Sequence, residues 1–409
     1  MDNMKPRLTV LVGSGGSVEI GIPSTADLLP IATNAIQNSP AIVSPDSPVL
    51  LPEVAQSLLK RCKDYYGPQM TFEHLMHVLE TLDSMGGAFR TPAPSTGKAA
   101  EPMLAAAPHP EIIDALDRYF AHSAPTALLY AIHKRISAAS EQVSSHPSWP
   151  AFIEFWRSLD STFDLSIGTI NYETTVEQAL SVGPQAQGFA QIEGEGTWRL
   201  DERNVRENLR LAHLHGSIHF GDREYGTDAN RFVYQDDWED LYWHPDPRGA
   251  RQSLGNKSTH RSQGRRQSVK GPLITGLDKA DKLIVEPYGT YLREFAEWIR
   301  TCPRLLVIGY GFGDLHINAL IRRMGRLHGP NRRIAVVTKF DPVWMRGAWA
   351  SRNIEATLFH MWSEDRELLE PFKYSNPLSA KTGYVQVFYD GLLDAAQSHQ
   401  AELEEFLLN

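Results

Sequence analysis

Twice in this chain a short apolar run stops abruptly at a cluster of glycines, and that arrangement narrows the fold more than any other feature. Leu8 to Val12 ends at Gly13-Ser14-Gly15-Gly16-Ser17, and Leu305 to Ile308 ends at Gly309-Tyr310-Gly311-Phe312-Gly313-Asp314. Apolar runs without polar alternation fit strands covered on both faces, as in parallel sheets. The neighbouring segments support this reading. Pro23-Ser24 opens a helical pattern through Leu28, Leu29, Ala32 and Ile36, with its start near Ser24.

Further strand-like runs occur at Phe163 to Gly168, around Phe189 to Leu200, at Leu209 to Leu214 and at Leu283 to Val285. Next come a helix from about Thr290 to Arg300, the Leu305 to Ile308 strand, a helix from His316 to Arg326 and a strand at Ile334 to Thr338. Alternation of this kind predicts an α/β fold with a doubly wound parallel sheet. Between about Ser39 and Trp149 the strands vanish, and helical stripes appear at Phe72, Leu75, Met76, Leu79 and Leu82 and at Ile112 to Phe120, with a loop at Met85 to His109. That stretch reads as an inserted helical subdomain. The expected division is a core domain from 1–38 and 160–340, a helical insertion at 39–159, and an extension at 341–409 ending in an acidic helix from Tyr389. Arg248 to Gly271 carries seven basic residues and no carboxylate, and is expected to be a long mobile loop.

Composition excludes several classes. A net charge of −9 argues against a protein that grips nucleic acid across its whole surface, leaving only the 248–271 segment for such contact. Two cysteines, Cys62 and Cys302, build neither a disulfide framework nor a four-cysteine zinc site, and suit a reducing cytoplasm. No apolar run reaches the roughly 18 residues of a membrane span, so neither export nor membrane insertion is expected.

Four clusters carry the candidate chemistry. The first glycine turn permits backbone N–H groups to approach a pyrophosphate, but Val18 replaces the sixth-place glycine of the dinucleotide fingerprint, so a plain tight turn remains open. In the second, Gly309, Gly311 and Asp314 line a turn of the same kind, in which Asp314 alternatively only caps a helix. Thr169-Ile170-Asn171-Tyr172-Glu173 sits at a strand's carboxyl end, where an Asn binds a ribose hydroxyl or water, or simply forms a turn. His213-Leu214-His215 sets two imidazoles on one side of a strand, as structural residues, a general base, or metal ligands lacking a third partner in the local sequence.

In that order, Gly13 to Ser17 with Gly21-Ile22-Pro23, Thr169 to Glu173, Leu214-His215-Gly216-Ser217, and Gly309 to Asp314 with His316-Ile317-Asn318 resemble the sirtuin superfamily. More narrowly they resemble its bacterial branch of NAD⁺-consuming antiphage effectors. The resemblance covers about Leu8 to Leu29 and Phe163 to Thr338.

It implies a Rossmann-like sheet with NAD⁺ across the turns, contacting Gly13, Ser14, Gly15, Ser17, Thr169, Glu173, Gly309, Gly311 and Asp314. Asn171 and His215 would then act at the nicotinamide ribose, and the reaction would be hydrolysis to nicotinamide and ADP-ribose. It further implies a homo-oligomer silent until a partner, a HerA-type hexameric ATPase or a short Argonaute, activates it. An alternative is a catalytically silent NAD⁺ or ADP-ribose binding module that controls assembly. An NAD(P) oxidoreductase fits less well, since no acidic residue closes a first βαβ unit.

Three departures from the family's deacetylases stand out. The four-cysteine zinc module is missing, so no zinc is expected; Ser24-Thr25-Ala26 replaces an acidic-Phe-Arg stretch that covers nicotinamide; and Glu173 stands in place of Asp. The first disfavours deacetylation, the second favours hydrolysis over acyl transfer, and the third changes the implied contact to the nicotinamide amide by one methylene.

Overall fold

The computed structural model describes residues 5–38, 51–90, 120–221, 240–252, 260–262, 265–267, 272–277, 279, 283, 285–339 and 376–409. The chain divides into two compact units, one of Met1–Ile22, Ala138–Ser217 and Glu286–Asn409, the other of Pro23–Ser137 and Ile218–Val285.

The first unit is built on a seven-stranded sheet. Its strands are β1 (Arg7–Val12), β2 (Asp164–Thr169), β3 (Leu211–His213), β4 (Arg304–Ile308), β5 (Arg333–Val337), β6 (Leu378–Ser379) and β7 (Val385–Phe388). They lie in the order β6-β7-β5-β4-β1-β2-β3, parallel throughout except where β6 meets β7. From β1 the chain winds outward to β2 and β3, then returns to β4 on the other side of β1 and winds outward to β5. The fold is therefore a doubly wound, Rossmann-like α/β sheet whose order reverses between β1 and β4.

Alternation along the strands explains why both faces are covered. Leu8, Val10 and Val12 of β1, Leu165 and Ile167 of β2, and Leu306 and Ile308 of β4 join one buried cluster. The helices Trp149–Thr162, Leu392–Ser398 and Gln400–Leu408 complete it through Phe152, Phe155, Trp156, Leu159, Leu392, Ala395, Leu403 and Leu407. On the opposite face the helix Tyr288–Thr301 buries Tyr291, Phe295, Trp298 and Ile299.

Register brings the strand ends into line. Val12 pairs with Ile308 on one side and Thr169 on the other, and Thr169 pairs with His213. Four carboxyl ends thus form one transverse row, Ile308-Val12-Thr169-His213, and Gly13, Asn171, His215 and Gly309 lie one or two residues beyond it.

The second unit contains the helices Thr25–Gln37, Leu51–Tyr66 and Phe72–Arg90. Ser24 caps the first in a full capping box: its side chain accepts from the Asp27 N–H while the Asp27 carboxylate accepts from the Ser24 N–H. Leu28, Ala32 and Ile36 are its buried stripe, as the spacing predicts.

Several expectations are corrected. The basic segment is not one loop. Arg248 and Arg251 lie in the helix Pro247–Gln252, and His260–Ser262 pairs antiparallel with Arg265–Gln267; residues 253–259 and 268–271 lie outside the described residues. Met85 to Arg90 continues a helix rather than starting a loop. The remainder of that loop and most of the Ile112 to Phe120 stripe lie outside the described residues. Leu283 and Val285 are buried but form no strand. The expected His316 to Arg326 helix breaks at Arg322 into Leu315–Ile321 and Arg323–His328. Phe189 to Leu200 is a small antiparallel pair, Phe189–Gln191 with Trp198–Leu200.

Candidate functional site

Both glycine turns lie at the switch point of the sheet, where open α/β folds form their ligand crevice. They touch through backbone alone. Gly13 N–H donates to Ile308 O at 2.8 Å and Gly15 N–H to Gly309 O at 2.9 Å. Gly309 has φ 59°, and a Cβ built there would lie 1.9 Å from Gly16 N. One built on Gly13 would lie 2.7 Å from Gly309 O. Only glycine permits this approach.

Gly16 and Ser17 N–H groups bond back to Gly13 O and Ser14 O, and the chain continues through the short 3-10 turns Ser14–Gly16 and Val18–Ile20 rather than an α-helix. Four N–H groups of this turn are thus used within the protein. Close approach of two strand ends is the role its glycines visibly play.

Beyond β4 the turn is held by a side-chain lock. Tyr310 OH accepts from the Asp314 N–H and bonds to Asn318 Oδ1 at 2.8 Å, while Asn318 Nδ2 donates to Phe312 O at 2.7 Å. Burial pushes the Tyr310 hydroxyl's pKa up, keeping it protonated for these contacts. Phe312 sits in the left-handed region at φ 56°, a strained conformation for a side chain of its size, and the lock holds it there.

Asn171 is buried at 5% exposure. Its backbone N–H donates to Thr169 Oγ1, and its Nδ2 faces three acceptors: Gly13 O at 3.1 Å, Glu173 Oε1 at 3.0 Å and Ser17 Oγ at 3.5 Å. Three acceptors on one nitrogen fix the amide orientation. Oδ1 must then point the other way, and it is buried without a hydrogen-bond partner among the described residues. An orphaned buried acceptor costs about 1–3 kcal/mol unless a ligand or water supplies a donor.

Glu173 is buried beside it and also accepts from Thr175 Oγ1. Burial raises its pKa, opposed by hydrogen bonds from Ser17 and Asn171.

The two histidines part company. His213 ends β3 fully buried, with Nδ1 on Asn171 O at 3.2 Å and Nε2 on Glu177 Oε1 at 2.5 Å. Burial alone would lower its pKa, but the Glu177 charge, its hydrogen bond and the Asn171 carbonyl together raise it. His213 therefore buttresses the Asn171 backbone. His215, two residues on and 2% exposed, instead meets His316, the two Nε2 atoms 3.2 Å apart, with Asp314 Oδ1 3.9 Å from its Nε2. One imidazole N–H donates to the unprotonated nitrogen of the other.

The Asp314, His215 and His316 ligand atoms all lie within 4.8 Å of one another, a possible ligand set for a metal. Local spacing offers no third ligand for His213 and His215; the structure supplies His215 with two from the far side of β1.

All the sequence-derived residues therefore fall at one edge of the sheet. Gly13, Ser14, Gly15 and Ser17 follow β1, Thr169, Asn171 and Glu173 close β2, His215 follows β3, and Gly309, Gly311 and Asp314 follow β4. Glu177 and the pairing of His316 with His215 were not foreseen. The only hint of Glu177 was its place one helical turn after Glu173, and of His316 its place two residues after Asp314.

No helix among the described residues is long and apolar enough to cross a membrane. Residues 165–357 match the family model for a SIR2-like domain. No curated protein matches the chain. The match begins in β2 and takes in β3, β4 and β5, so this stretch of the chain is similar to a SIR2-like domain.

Proposed function

We propose that this chain hydrolyses NAD⁺ at the nicotinamide–ribose bond, yielding nicotinamide and ADP-ribose. The observation that carries the reading is the buried Oδ1 of Asn171, which has no hydrogen-bond partner among the described residues and is held at the switch-point edge by three acceptors on its own Nδ2. It is an acceptor awaiting a donor, and a ribose hydroxyl or the attacking water is such a donor.

Nicotinamide is cationic in NAD⁺ and departs neutral, so the leaving group needs no strong acid. Positive charge grows instead on the ribose, and the site must tolerate it and present water to the opposite face. In this reading Asn171 orients ribose and water, and His215, through an unprotonated ring nitrogen, takes the proton released by that water or by a ribose hydroxyl. His316 shares the proton across the 3.2 Å contact. The buried Glu173 holds the Asn171 amide, and in this reading it would also meet the nicotinamide amide. Gly13, Ser14, Gly15, Ser17, Thr169, Gly309, Gly311 and Asp314 would line the remainder of the dinucleotide's path. Serine, threonine and alanine at positions 24–26, in place of bulky covering residues, favour water as acceptor.

The proposed setting is the cytoplasm of a bacterium under phage attack. There the chain acts as a homo-oligomeric effector, switched on by a HerA-type hexameric ATPase or a comparable sensor. Mass measurement of the co-expressed proteins tests the assembly, and the appearance of separate species only would remove it.

The direct test is nicotinamide release from NAD⁺ by wild type, Asn171→Ala and His215→Ala, each with and without the co-expressed ATPase. Release by wild type, with losses of about 10²-fold or more in both variants, is the expected result. NAD⁺ binding without release in any condition would leave a silent binding module instead.

A further inference from the structure

We infer that His215, Asp314 and His316 form a site for a zinc-type dication, and that its occupancy silences the proton chemistry of His215. The silencing half rests on the hydrolase reading; the site itself does not.

Two imidazole nitrogens of the same kind converge to 3.2 Å, and the carboxylate oxygen of Asp314 stands 3.9 Å from one of them. A tetrahedral zinc ion with bonds of about 2.0–2.1 Å places its ligand atoms roughly 3.3–3.4 Å apart. The histidine pair already has that spacing, and the carboxylate stands about half an ångström beyond it from His215, with all three ligand atoms within 4.8 Å of one another. Two imidazoles and one carboxylate are a borderline-soft set that suits Zn²⁺ over Mg²⁺ or Ca²⁺, which prefer all-oxygen shells. Three protein ligands leave a fourth position for water.

The conformation of Asp314 points the same way. It occupies the N-cap of the helix Leu315–Ile321, where an aspartate ordinarily turns its carboxylate back to the helix N–H groups, yet it makes no capping bond. Its oxygen is instead directed towards His215. The Tyr310–Asn318 lock anchors the backbone on both sides of Asp314, so the carboxylate is placed by a built turn rather than by a free loop.

Binding replaces the proton between the two rings by the ion: the ring that carries the Nε2–H takes up its Nδ1–H tautomer, so two neutral imidazoles donate both Nε2 lone pairs to the metal with no net proton lost. His215 then has no lone pair with which to accept a proton from water. The ion thus competes with the base, and removing it restores the base.

The experiment uses the full chain dialysed against a chelator. Co²⁺ is added as a spectroscopic probe, and Zn²⁺ binding is followed by equilibrium dialysis, for wild type, His316→Ala and Asp314→Asn, with circular dichroism to verify folding. The expected result is one Co²⁺ per wild-type chain with the intense visible bands of a four- or five-coordinate ion. Zn²⁺ affinity should fall by about 100-fold in His316→Ala and about tenfold in Asp314→Asn. Nicotinamide release by the chelated wild type should drop at least about tenfold with one equivalent of Zn²⁺ and return with chelator.

Absence of saturable binding, or binding unchanged in a folded His316→Ala protein, overturns the site. Zn²⁺ that leaves release unchanged overturns the silencing. Release that rises with Zn²⁺ does so too, by making metal-bound water the nucleophile. A Co²⁺ spectrum in a chain that releases no nicotinamide either alone or with the co-expressed ATPase upholds the site and removes the hydrolase reading.

Discussion

After β1 the chain turns through Gly13 to Ser17 with its N–H groups spent on neighbouring carbonyls, whereas after β4 it turns through Gly309 to Asp314 around open space. Cβ atoms added at Gly311 or Gly313 would meet nothing within 4 Å, and Leu315 beyond them is 83% exposed. Gly309 belongs with the first turn: its contacts are Gly15 and Gly16. The same residue type therefore does two jobs a few positions apart. At Gly13 and Gly309 glycine permits two backbones to touch, and at Gly311 and Gly313 it keeps a face clear. A motif of spaced glycines conceals this difference, because spacing says nothing about the groups that stand opposite each one.

Substitution of Gly309 by Ala breaks the tight side and should have the largest effect. With a Cβ forced to 1.9 Å from Gly16 N and φ at 59°, the two strand ends must separate. A loss of about 4 kcal/mol or more is expected in denaturant unfolding, or failure to fold. A loss under about 1 kcal/mol would show that the turns are not locked together.

Asn318→Ala probes the hold on the open side. It removes the bonds to Tyr310 and Phe312 O, and should cost about 1–3 kcal/mol. Faster amide exchange should be confined to residues 310–316, with the β1 turn unaffected. Equal loosening of both turns would erase the distinction between them.

Gly311→Ala is the smallest change, with stability expected within about 0.5 kcal/mol of wild type. Its value lies in NAD⁺ affinity, measured by calorimetry. Weakened binding at unchanged stability would mean that the cleared face is where the ligand lies, and unchanged binding would move the ligand elsewhere.

Much of this architecture is legible in the residues. β1, β4 and β5 are apolar runs covered on both faces, and Ser24 with Asp27 announces a capping box. The edge of the sheet is harder to read. Leu378–Ser379 and Val385–Phe388 are short and lie just before the expected acidic helix, in a stretch where the pattern gives no strand signal. Arg322 breaks its helix without a Pro or Gly to mark the place.

The site divides similarly. Asn171 and His215 follow strands, so their edge is readable from the strand ends alone. That His213 turns to Glu177 while His215 turns to His316 depends on partners 36 and 101 residues away, which no local spacing encodes. A third metal ligand is invisible in the sequence for the same reason. Spacing directs the search to the neighbourhood of His213 and His215, and the candidates lie on a strand end across β1.

The transverse row Ile308-Val12-Thr169-His213 has a consequence for how such a chain tolerates change in length. Each strand acts as a ruler of about 3.3 Å per residue whose side chains alternate in direction. One residue added within β2 would carry Asn171 a full step past the row and reverse the facing of every position behind it. The connections between strands carry no such phase. The interval from Val12 to Asp164 holds over a hundred residues and still delivers β2 into register with β1. Beyond the locked Gly13 to Ser17 turn, length in that interval does not set the register, whereas a single inserted codon within the strands does.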